Sequence, residues 1–144
     1  MRIILARKLI KQNIKGLDGI FLPIKGKRLE FGDAFKFLDT GDRALINSEL
    51  KRQPMKPDEI RAITISVGRH VFIYCFTVLE NKALATAVRR FVRMGKSARL
   101  EKLVLNIDDL VFGENTASIV QLIATEAVMA HYDFSEVFKT EPKE

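Results

Sequence analysis

HVFIYCFTVL, residues 70–79, decides how the rest of this chain is read. The run is apolar at nearly every position and rich in β-branched and aromatic residues, which favours a strand over a helix. A strand with one wet face alternates apolar and polar residues. Unbroken apolarity instead describes a central strand covered on both faces, the situation of α/β folds. Cys75, the single cysteine, lies inside this run, so no intramolecular disulfide can form. A buried, inert thiol in a reducing compartment is the expectation.

Working outward, IRAITISV (60–67) reads as a second strand, and the Gly68-Arg69 link suggests a tight hairpin, with a longer loop as the alternative. Downstream, ENKALATAVRRFVRMGK (80–96) places Leu84, Val88, Phe91 and Val92 on one helical stripe. Burying each contributes about 1.5–3 kcal/mol, which outweighs the weak helix propensity of the valines. Gly95 is expected to be the left-handed cap of this helix. LEKLVLNI (100–107) is a further strand, ended by Asp108-Asp109. Asn115 or Thr116 can then cap a helix running to about His131. That helix carries Ile119, Val120, Leu122, Ile123, Ala127, Val128 and Met129, and its thin polar line predicts cover almost all round.

Toward the N-terminus, Met1–Ala6 and Asp18–Ile24 read as strands, the latter ending at the Lys25-Gly26-Lys27 turn. Thr40-Gly41-Asp42 opens a helix that stops near Gln53, before Pro54 and Pro57. Strands alternating with well-covered helices predict a layered α/β sandwich around a mixed sheet. At 144 residues, 47% hydrophobic and 29% charged, the chain suits one domain that folds without metal or disulfide. Neither a signal peptide nor a membrane span can be read in it, so the cytoplasm is the expected location and no membrane partner is expected.

Candidate chemistry is sparse. The 18 acidic residues are scattered, whereas acid–base or two-metal sites need carboxylates that converge. The best acidic cluster is Asp108-Asp109, at the end of a strand where α/β folds often hold ligands, and turn chemistry with helix entry is its plainer reading. His70 and His131 have no ligand-spaced neighbours, and His131 complements a helix dipole. None of the eight glycines forms a G-x-G pair that could cradle phosphate. The residues therefore predict no catalytic, metal-ligating or cofactor-binding side chain. One surface could bind: Lys82, Arg89, Arg90, Arg93 and Lys96 follow one helix, and with a net charge of +6 they are the candidate phosphate or DNA contacts. An ordinary wet helix face is the plainer explanation, because no aromatic stacking partners lie nearby.

GIFLPIKGKRLEFGDAFKFLD (19–39), a helix ending LKRQ, AVRRFVRMGK, LEKLVLNI and ATEAVMAHYDFSEVFKT (124–140) together resemble the N-terminal domain of the leucyl (cytosol) aminopeptidase family. The most telling portion is Glu126, Ala127, Tyr132, Phe134, Phe138, Lys139 and Thr140. The chain departs from the family where YCFTVLEN replaces a glycine-containing strand end, and where Asp133 replaces a basic residue. The first departure argues against a macro-like pocket for a nucleotide. The resemblance implies a three-layer α/β/α, macro-domain-like body over residues 1–131, with 132–144 beginning a linker to a separate C-terminal catalytic domain. It implies that two divalent metals, zinc or manganese, belong to that other domain. It also implies a homohexamer, an occasional DNA-binding role, no cofactor in this chain and no peptide hydrolysis by it alone. Tyr132, Phe134 and Phe138 are then anchors between domains. A nucleic-acid-binding module using the basic helix face is the alternative function.

Overall fold

Residues 70–76 do form an interior, buried strand of the sheet: His70–Phe76 is strand β5, flanked on both sides, and all of it but His70 is buried. The computed structural model describes residues 1–7, 18–25, 30–112 and 115–132. The other strands are β1 (Arg2–Ala6), β2 (Gly19–Lys25), β3 (Glu30–Phe31), β4 (Ile60–Thr64) and β6 (Lys102–Asn106). Strand order is β1-β6-β2-β5-β4, with the short β3 beside β2. The β1–β6, β6–β2 and β2–β5 pairs are parallel, whereas β4 runs antiparallel to β5 and β3 antiparallel to β2. The sheet is mixed, as expected.

Among the described residues four helices cover it: α1 (Asp33–Lys36), α2 (Thr40–Arg52), α3 (Asn81–Ser97) and α4 (Thr116–Tyr132). Alternation along β2 sends Ile20, Leu22 and Ile24 into one core with Ile46 and Leu50 of α2. Phe21 goes the other way, into a larger core with α3 and α4. This is a three-layer α/β/α sandwich. The predicted stripe of α3 is its inner face, since Leu84, Val88, Phe91 and Val92 are all fully buried. Asn115 is the predicted cap of α4, its Oδ1 accepting the Ser118 N–H at 3.3 Å. No helix among the described residues is long and apolar enough to cross a membrane.

Three expectations are corrected. Gly95 does not cap α3. It is buried within the helix, and a Cβ there would come within 2.6 Å of Leu103 Cδ1, so glycine lets α3 lie close on β6. The left-handed residue is Arg99, at φ 58°. The β4–β5 link is the longer loop. It holds a 3₁₀ turn at Ser66–Gly68, with Gly68 at φ +70°. Buried Asp42 fixes that turn, accepting the Ser66 N–H at 3.1 Å and its hydroxyl at 2.9 Å. Finally, α4 is not covered all round. Ile119, Ile123, Ala127 and Ala130 are buried, while Val128, Met129 and Tyr132 are exposed, because α3 and the sheet meet the helix from one side.

Before β4, Asp58 adopts φ 61°, its N–H donating to the Cys75 carbonyl at 2.8 Å while the Cys75 N–H donates to the Glu59 carbonyl at 3.0 Å. Two residues therefore oppose one, a β-bulge whose left-handed position is filled by aspartate, which tolerates it better than most side chains. Burial, and then the nearby Asp58 and Glu59 carboxylates, push the Cys75 thiol above its ordinary range. At about pH 8 a chromogenic disulfide reagent is expected to leave native Cys75 unmodified while labelling the guanidinium-unfolded chain. Fast labelling of the native protein contradicts this placement of β5.

Candidate functional site

Pro23 stands within β2, although proline cannot donate to a strand ladder. The β2 ladder with β5 runs from Gly19 to Lys25, but that with β6 stops at Ile20↔Val104. Pro23 therefore falls where only β5 flanks the strand, a setting that proline tolerates. Beyond Ile20 the two parallel strands part, and β3 enters through the pairs Ile24↔Phe31 and Lys25↔Glu30. A cleft opens at the C-terminal strand ends, lined by Pro23, Lys25, Glu30, Phe31, Gly32, Asp33, Asp108 and Asp109. This is the place where open α/β sheets hold ligands.

The cleft is filled from within by Asp109. Its residue is buried, and the carboxylate accepts the N–H of Asp33 at 2.5 Å through Oδ1 and that of Ala34 at 3.0 Å through Oδ2. The first backbone donors of α1 therefore point at the chain's own anion. Gly32 makes the approach possible, since a Cβ there would lie 2.3 Å from the Asp109 carboxyl. About 260 Å³ remains open, below the roughly 300–1,000 Å³ of small-molecule pockets. Among the described residues, no three His, Cys, Asp or Glu side chains are grouped so as to hold a metal ion.

Asp109 repeats a pattern. Asp18 Oδ2 accepts the N–H groups of Glu101 and Lys102 at 2.8 and 2.9 Å, tying β2 to the start of β6, and Asp42 holds the β4–β5 turn. Each of these carboxylates closes off backbone donors distant in sequence. Sequence reading placed Asp109 in a local turn and missed its partners. The available signal was Pro23, which in an otherwise central strand marks one-sided pairing.

The basic helix face is divided. Arg89 Nε lies 2.9 Å from Glu126 Oε2, an ion pair between α3 and α4 that is out of line for a hydrogen bond. Arg90 donates from Nη1 to the Asp58 carbonyl at 2.9 Å and sits 6.0 Å above the Tyr74 ring. Lys96 Nζ donates to the His131 carbonyl at 2.8 Å, satisfying the end of α4. Lys82 and Arg93 are exposed, and among the described residues no such contact holds them. Tyr132 is 66% exposed at the end of α4. Phe134 and Phe138 lie outside the described residues.

The layered sheet, with its cleft at the parting of β2 and β6, defines a macro-domain-like α/β protein. It is similar to the solved macrodomain of Thermus aquaticus DarG, with a TM-score of 0.61 over 88% of this chain and 91% of that one, at 12% identity. At that identity the likeness establishes the fold alone. No protein-family profile and no curated protein matches the chain.

Proposed function

We propose that this chain is a non-catalytic, macro-like assembly domain, the N-terminal part of an enzyme of the leucyl aminopeptidase type. Hydrolysis belongs to a two-metal segment outside residues 1–144, and the domain's partners are that segment and further copies of the whole protein. The observation that carries the reading is the use of Asp18, Asp42 and Asp109 as ties to backbone amides. A metal or acid–base site needs carboxylates that face one another across open space. These three are engaged with backbone amides at separate places. The macro-like body and the run from Glu126 to Thr140 are in keeping with the same reading.

Two measurements test it. The purified chain with Mn²⁺ or Zn²⁺ is expected to leave leucine p-nitroanilide intact, and the reading frame past Glu144 is expected to encode a two-metal peptidase. Turnover by the chain itself overturns the proposal, as does a downstream frame without such a segment.

A further inference from the structure

We infer that the outer edge of β4 is a strand-addition site for an extended peptide with acidic residues on one face and apolar residues on the other. β4 ends the sheet beyond β5. The phase of its hydrogen bonds is set at both ends: the Cys75 N–H donates to the Glu59 carbonyl at 3.0 Å, and the Ile65 N–H to the Arg69 carbonyl at 2.8 Å. In an antiparallel ladder inward and outward residues alternate. Glu59, Arg61, Ile63 and Ile65 therefore bond to β5 or its turn, whereas Ile60, Ala62 and Thr64 turn their N–H and C=O groups outward. Ala62 and Thr64 are exposed, and no backbone bond from another described element reaches them.

Grooves flank this edge on both faces. On the α3 side, one is lined by Thr64, His70, Phe72, Arg93, Met94 and Ser97. On the α2 side, the other is lined by Leu45, Glu49, Gln53, Arg61 and Ile63. A strand laid against β4 sends successive side chains to opposite faces, one set into each groove. Main-chain bonds along an edge with side-chain pockets on both sides is how β-augmentation combines affinity with selectivity.

Charge determines what those side chains are. The α3-side groove contains Arg93 and no acidic residue, and no acid among the described residues pairs with Arg93. In the α2-side groove the charges are already matched: Arg61 with Glu59 at 2.8 Å and Glu49 with Arg52 at 2.7 Å. Leu45, 40% exposed, and Ile63 are left there as apolar contacts. An acidic residue therefore suits the first groove and an aliphatic one the second. The same asymmetry disfavours a second copy of this chain. Two-fold pairing of β4 about Ala62 brings both Arg93 side chains to one face with no acid between them, on molecules that each carry +6. The inference stands on the β4 edge and is independent of the assembly-domain proposal.

The test uses the full chain and the fluorescein-labelled heptapeptides TVEVEVT and TVKVKVT, followed by anisotropy. TVEVEVT is expected to bind at least about tenfold more tightly than TVKVKVT. Ala62→Pro removes one outward donor without touching the β4–β5 ladder, so it is expected to retain the thermal unfolding of the parent and weaken TVEVEVT by about tenfold or more. Arg93→Glu is expected to invert the preference between the peptides, which decides the matter even if the proline variant does not fold. Equal affinity for the two peptides, no binding of TVEVEVT at millimolar concentration, or an unchanged preference in Arg93→Glu overturns the inference. So does concentration-dependent dimerisation that Ala62→Pro abolishes, since the edge then belongs to a second copy.

Discussion

Replacing Phe91 with alanine is expected to remove about 3–5 kcal/mol of unfolding free energy and to lower Tm by roughly 10–20 °C. Phe91 is fully buried on the inner face of α3. Its ring lies 5.2 Å from that of Phe21 and 5.2 Å from that of Phe72, tilted against one and edge-on to the other. Such pairs add about 0.5–1.5 kcal/mol beyond burial itself. The cavity left by alanine cannot close cheaply, because Phe21 and Phe72 stand on neighbouring paired strands whose backbones are fixed by the ladder. Phe91→Leu is expected to recover about half of the loss by refilling much of the volume. Guanidinium unfolding measures both variants. A loss below about 1 kcal/mol for alanine contradicts this packing of α3 on the sheet.

Asp109→Ala is expected to cost about 2–4 kcal/mol, and to do so through two amides rather than through apolar contact. The Asp33 and Ala34 N–H groups lose their acceptor together, and the β6–α4 loop loses its tie to α1. Asp109→Asn keeps one carbonyl oxygen and is expected to lose less. A second signature separates this role from general disruption. In the parent, Gly32→Ala drives a methyl group to 2.3 Å from the Asp109 carboxyl, while in the Asp109→Ala background those contacts are gone and only the 2.8 Å approach to the Cβ at position 109 remains. The two substitutions are therefore expected to be non-additive by about 1 kcal/mol or more, with the double variant more stable than the sum predicts. Additive losses contradict the contact, and hydrogen exchange at residues 33 and 34 reads its opening directly.

The layers were legible because their signals are long and periodic. Residues 70–76 declared a buried strand by lack of alternation, and Leu84, Val88, Phe91 and Val92 declared one helix face. Strand β3 and helix α1, of two and four residues, are too short for any period to register. Gly95 looked like a cap because its place near the end of α3 was visible, while the Leu103 side chain it accommodates lies on another element. The cleft was the least legible part. Its floor depends on a carboxylate meeting amides 75 and 76 residues away; the Asp108-Asp109 pair at a strand end pointed to the place, but neither its partners nor the meaning of Pro23 was read. The basic helix face read as one surface, yet Arg89 and Lys96 are held by α4 and Arg90 by the bulge before β4, and those contacts are set by packing.

The register of β1 has a consequence for synthesis. Arg2 through Ala6 pair with Lys102 through Asn106, so β1 leaves the ribosome about a hundred residues before the strand it pairs with has been made. At roughly 5–20 residues per second that wait lasts about 5–20 s. Throughout it Ile3, Ile4 and Leu5 are without the β6 neighbour that later pairs with them. A circular permutant that brings the two strands close in order is expected to shorten that exposure.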